Sequence, residues 1–331
     1  MKATVQLILG VISAGIIWIA ITKVAPNYPV PNAYFNNSVV LQKETAISKN
    51  KEKGRVIFVG GSNVTFGIKA SLFEEETGIP AVNFGCVAGM GPELILYKLK
   101  PYLRDGDTIV MAWEYGLYKY DRSNYINITY LNLIHGPMDD FLTELPVLDE
   151  FKLRMALPVM SFYSGYYTSQ TTPTPKEAYK AHWQINNSGD LISNKSQDLT
   201  KEQLENQPIL DLIESLEPSS DMHNVISKFL KECKNRNINV IATWPNFYGH
   251  SDYHNNKQVE RNISTILAFW EKLRVPMAGA YTNAIFENLH IHNTPYHLNE
   301  SGAVLRTQRL IKELKPYFEE RTPTPLEDRN K

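Results

Sequence analysis

Cysteine is nearly absent from this sequence: Cys86 and Cys233 are the only two among 331 residues. That excludes a disulfide framework and a thiolate metal site, and both thiols are expected buried and free, as lone cysteines usually are. An excess of either charge is also missing, since 34 Lys and Arg stand against 35 Asp and Glu, for a formal charge of −1. Nucleic acid is therefore not an expected partner, and no block of like charge marks a disordered interaction tail. No internal repeat is visible. What remains is an ordinary globular composition, 43% hydrophobic, long enough for one large domain carrying an insertion.

Long uncharged runs are scarce too, with one exception. Ala3–Thr22, ATVQLILGVISAGIIWIAIT, carries no charge and is about as long as a helix that crosses a bilayer. Trp18 lies near its far end, where an amphipathic ring suits the membrane interface. The run lacks the short core and small-x-small site of a cleaved signal peptide. Residues 1–23 are expected to be a single-pass signal anchor, inserted through 3–22, with the body outside the cytoplasm. The alternative makes the run a core helix of a cytosolic esterase. Pro26, Pro29 and Pro31 and a Lys-rich stretch predict an extended stalk over 24–53.

From Arg55 a strand–helix rhythm begins. Strands are predicted at Arg55–Gly60, Ala81–Phe84, Asp107–Trp113, Ile238–Thr243 and Val275–Ala278. Helices are predicted at Lys69–Thr77, Pro92–Leu103, Asp221–Asn235, Gln258–Leu273 and Asn299–Phe318. The strands are uniformly apolar rather than alternating, which suits a parallel sheet covered on both faces. The fold class is therefore α/β, a three-layer α/β/α sandwich with a mainly parallel sheet. The domain runs over 54–318, with an insertion rich in Tyr, Asn, Ser, Thr and Pro at about 118–217 and a loose tail at 319–331.

Sites in open parallel sheets form at the C-terminal ends of strands. The first strand, VIFVGGSNVTFGI, ends by presenting Ser62 and Asn63 on a Gly60-Gly61 hinge. The second leads from Asn83-Phe84-Gly85 into a glycine-rich turn, and the third ends in Trp113-Glu114-Tyr115. Near the end of the chain, HIHNTPYHLNESG puts His297 in a loop before the last helix.

Three blocks, GGSNVTFG (Gly60–Gly67), NFGCVAGMG (Asn83–Gly91) and YHLNESG (Tyr296–Gly302), together resemble the SGNH/GDSL hydrolases. The similarity is to the membrane-anchored branch that works on extracellular polysaccharides and teichoic acids, and it spans Arg55–Tyr118 and Asn237–Phe318. It implies an SGNH-hydrolase-like, flavodoxin-like sheet, with Ser62 as nucleophile, His297 as general base, and the Ser62 and Gly85 N–H groups as oxyanion donors. Two positions depart from the family's pattern. Glu114 stands where the family offers an asparagine to the oxyanion. Asn293 and Thr294 stand where it carries an aspartate that orients the histidine, leaving Asn293 as the orienting group; Asp252 and Glu287 are further candidates to reach His297.

The activity implied is that of a serine esterase or O-acyltransferase on a cell-surface or exported polysaccharide, needing no cofactor and working beside a membrane-bound acyltransferase. Asn63, Glu114, Trp244 and Asn246 are the candidate substrate-binding residues. Glu114 could instead pair with a Lys or Arg, and Trp244 could simply pack beneath the insertion. His290, His292 and His297 raise a zinc reading, which the want of an accompanying aspartate disfavours. The alternative function is a catalytically degraded relative that binds glycan or scaffolds an export complex.

Overall fold

The computed structural model describes residues 2–24, 31–122, 141, 145–150, 183–194 and 198–319. Five parallel strands form the central sheet: β1 (Val56–Gly60), β2 (Ala81–Gly85), β3 (Thr108–Ala112), β6 (Asn239–Thr243) and β8 (Met277–Ala278), in the order β2-β1-β3-β6-β8. Every residue of β1, β2 and β3 is buried, which explains their unbroken apolar sequence. Alternate side chains serve two separate cores. Ile57, Val59, Ile109 and Met111 face one, with α5 (Gly91–Leu99), α9 (Ser220–Asn235) and α10 (Lys257–Lys272). Val56, Phe58 and Val110 face the other, with α4 (Ala70–Thr77) and α11 (Glu300–Glu319). Helices thus cover both faces, as the strand pattern predicts.

The N-terminal region differs from expectation. The predicted stalk is not extended: Pro31–Lys49 forms helix α2, whose residues Val39, Val40, Lys43, Ala46 and Ile47 are buried. Those positions recur at helical spacing, so one face of α2 packs against the sheet despite a polar composition. Ahead of it, α1 (Lys2–Val24) is a continuous 23-residue helix with Leu7, Val11 and Ile16 more than half exposed, while Trp18 packs against the main core. Among the described residues no helix is long and apolar enough to cross a membrane, so the expected span at 3–22 has no support here. Within α1 the described side chains are those of Lys2–Trp18 and Ala20.

Most of the expected insertion lies outside the described residues, as do 320–331. The part that is described includes a hairpin, β4 (Trp183–Ile185) with β5 (Leu191–Asn194), absent from the predicted elements. Asp190 in its turn accepts hydrogen bonds from the Ala70 and Ser71 N–H groups, at 2.6 and 2.9 Å, and so caps α4. Lys43 of α2 donates to Gly189 O at 2.6 Å and to Asn83 Oδ1 at 3.0 Å. Burial pulls the Lys43 ammonium down to about 8. Both cysteines are free and buried, with burial raising each thiol to about 12.

At the N-terminal end of the strands, Arg55 and Asp107 pair at 2.9 Å with both side chains fully buried. The Arg55 guanidinium also donates to Ile47 O, Asn50 O and Tyr102 O, tying α2 and the end of α5 to the sheet edge.

Candidate active site

Of the stretch Arg55–Ile68, Ser62 alone is not buried. It opens the short helix α3 (Ser62–Gly67) directly after β1, so the Gly60-Gly61 hinge does lift one hydroxyl from the sheet to the surface. The glycines are required by contact rather than by unusual dihedrals. A Cβ on Gly60 would lie 2.2 Å from Ala112 O, and one on Gly61 would lie 2.4 Å from each oxygen of the Glu114 carboxylate.

That carboxylate is the centre of the site. Glu114 follows β3 and is 4% exposed. Its Oε1 accepts the Asn63 N–H at 2.9 Å and the Ser62 hydroxyl at 3.5 Å, and its Oε2 accepts the Gly61 N–H at 3.2 Å. Among the described residues it forms no ion pair with a Lys or an Arg, the pairing left open by the sequence. Burial raises its carboxyl to about 7, opposed by these hydrogen bonds.

His297 is carried by a hairpin-like loop. Its ends are joined by a bridge between Ile291 and Leu298 and by the His292 N–H on His297 O at 2.8 Å. Asn246 donates to Tyr296 O at 2.6 Å, and the Tyr296 hydroxyl accepts the Tyr115 N–H at 3.2 Å. The loop is thus held to the ends of β6 and β3. Its imidazole stacks on Phe66 at 3.9 Å with the rings 6° from parallel. Phe66 stands four residues beyond Ser62 in the same short helix.

The Asn293 Oδ1 lies 2.7 Å from His297 Nδ1, as expected of an orienting amide. If the amide oxygen accepts there, the Nε2 atom carries the lone pair. Burial, with His292 nearby, drives the imidazole down to about 3. No hydrogen bond joins Ser62 to His297 among the described residues; the Ser62 hydroxyl goes to Glu114.

The remaining predicted site residues are elsewhere occupied. The Gly85 N–H donates to Asn83 Oδ1 at 2.8 Å, and a Cβ on Gly85 would lie 2.4 Å from Thr65 N. The bare Cα of Gly85 thus permits the close approach of β2 to α3. Asn63 is fully buried and its amide donates to Ala112 O at 3.1 Å. Trp244 is buried against Tyr281, its indole on Gly279 O at 3.0 Å. Asn246, also buried, holds the histidine loop through Tyr296 O.

An aspartate does reach this histidine cluster, but through a different ring. Asp198 Oδ1 lies 2.6 Å from Nδ1 of the buried His292, and both line a cavity of about 370 Å³ with Phe66, Lys69, Asn299 and Glu300. Asp252 instead lies 3.6 Å from His250. Asp198 is 94 residues from His292 in the chain, so no local pattern announces it. Among the described residues no group of His, Cys, Asp and Glu is arranged to hold a metal ion.

No protein-family model matches the chain, and no curated protein matches it.

Proposed function

We propose that the chain is an SGNH-like serine esterase or O-acyltransferase in which Ser62 attacks an acyl carbonyl and carries the acyl group as an ester. The observation behind this reading is Ser62 itself. It is the one accessible residue in a buried fourteen-residue stretch, and its hydroxyl already donates to a buried carboxylate. Acyl transfer of this kind needs a hydroxyl activated by an adjacent base, and the C-terminal edge of an open parallel sheet is where such folds bind their ligands. The acceptor would be a cell-surface or exported polysaccharide, with the body tethered through residues 3–22 beside a membrane-bound acyltransferase. These last elements rest on the sequence resemblance and on the uncharged run of α1.

The test is covalent labelling of the full chain by a fluorophosphonate together with turnover of p-nitrophenyl acetate. Both are expected in the native protein and absent in Ser62→Ala. A folded protein that is neither labelled nor active would leave the second reading, a glycan-binding or scaffold protein. Its supporting observations are the engaged Gly85 N–H and, among the described residues, the lack of a hydrogen bond between Ser62 and His297.

A further inference from the structure

The geometry points to Glu114, not His297, as the general base that takes the Ser62 proton. The proposal rests on the serine reading above and assigns the proton transfer within it. The Glu114 carboxylate is the hydroxyl's hydrogen-bond acceptor at 3.5 Å, and bonds of this kind commonly shorten in the reacting complex. It is also fixed in place: two backbone N–H groups, on Gly61 and Asn63, hold one oxygen each, and the bare Cα of Gly61 leaves the room it fills. His297, by contrast, is directed to Asn293 and stacked on Phe66.

In the step proposed, the Ser62 O–H proton passes to Glu114 Oε1 as Oγ bonds to the acyl carbon and the carbonyl electron pair moves to oxygen. Collapse of that adduct expels the leaving oxygen, which takes the proton back from Glu114. Water or a sugar hydroxyl then attacks the ester carbonyl as the same carboxylate removes its proton, and collapse of this second adduct breaks the Ser62 Oγ–acyl bond, with the proton passing from Glu114 back to Oγ. No external oxidant or metal is required.

The surroundings keep the carboxylate basic near neutrality. Burial acts on it most strongly, opposed by the Asn63 N–H, its own backbone N–H, the Gly61 N–H and the Ser62 hydroxyl. From the histidine loop the facing titratable group is the Tyr296 phenol, which burial keeps protonated.

The deciding experiment is the pH dependence of fluorophosphonate labelling and of kcat/KM for p-nitrophenyl acetate, using the full chain as native protein, Glu114→Gln, Glu114→Asp and His297→Gln. Native rates should rise roughly tenfold per pH unit and level off near the carboxyl's value of about 7. Glu114→Gln should lose about 10²- to 10⁴-fold and show no such limb. His297→Gln, whatever its rate, should keep the limb and its midpoint near that value. Glu114→Asp, which retains a carboxylate, should keep part of the rate with a shifted midpoint. A merely structural glutamate would not move the midpoint, so this variant decides the matter if Glu114→Gln fails to fold. Labelling of Glu114→Gln at close to the native rate would overturn the assignment while leaving the serine reading intact. Absence of Ser62-dependent labelling in the native protein would overturn both.

Discussion

Two buried carboxylates stand at opposite ends of β3. Asp107, at the strand's N-terminal end, lies 2.9 Å from a fully buried Arg55 that is itself satisfied by three carbonyls. Glu114, just past the C-terminal end, is hydrogen-bonded among the described residues to two N–H groups and one hydroxyl. The difference lies in what each charge is matched to. A buried ion pair with every donor used holds elements in place and has little freedom to change protonation. A buried carboxylate without a cation is poised between its two states, a condition that clusters at functional sites. The first end of the strand is built to stay as it is, and the second to exchange a proton.

The comparison breaks most directly at Gly61. Replacing it with alanine would put a methyl 2.4 Å from both carboxylate oxygens, forcing Glu114 out. Labelling of Ser62 should then fall by about 10²- to 10⁴-fold, as in Glu114→Gln, measured by rate of fluorophosphonate incorporation. Native-like labelling of Gly61→Ala would mean that the position of the carboxylate does not matter.

At the other end the large effect should be on stability. Asp107→Ala leaves Arg55 as a buried unpaired charge and should cost about 3–5 kcal/mol, read from the urea midpoint. The folded fraction should still label at the native rate.

Acidity separates the two ends again. In the folded chain Glu114 keeps its proton to about 7, against an ordinary 4.5. Its contribution to stability is therefore fully present below pH 4.5 and is lost as pH rises through 7, a difference on the order of 3 kcal/mol. His297, driven from 6.5 to about 3, acts in the opposite sense: its contribution is present above pH 6.5 and is lost as pH falls through 3. The two partly cancel between pH 4.5 and 6.5, so the native melting temperature should change little there. Glu114→Gln should remove the decline towards pH 7, and His297→Phe the decline towards pH 3. Identical pH profiles in native protein and variants would contradict both assignments.

The smallest effect sharpens the choice of base. Asn293→Asp would put a carboxylate 2.7 Å from His297 Nδ1 and raise the imidazole well above 3, visible as a shift in its NMR titration. With Glu114 as base, kcat/KM should change by less than about tenfold. With His297 as base it should rise by a much larger factor, since a carboxylate partner stabilises the imidazolium.

Most of the sheet was legible because it depends on local pattern. The apolar runs at 56–60, 81–85 and 108–112 are buried on both faces, and a strand so placed has no polar side to obscure it. Ser62 was legible for a related reason, as a polar residue following two glycines at the end of such a run. Helix α2 was missed because three prolines and a polar composition outweighed a spaced set of five buried residues. The hairpin at 183–194 was missed because its role, capping α4 through Asp190 and bonding Lys43, is made of contacts more than a hundred residues apart in sequence.

By itself the sequence determined the layered α/β architecture, the half-buried serine at the end of the first strand and the late histidine loop, since each follows from short-range periodicity and turn chemistry. The tertiary structure decided which groups those residues meet: Glu114 on Ser62, Asn293 on His297 and Asp198 on His292. Hydrogen-bond partners depend on distance and on the water excluded around them, and neither is written in the order of residues along the chain.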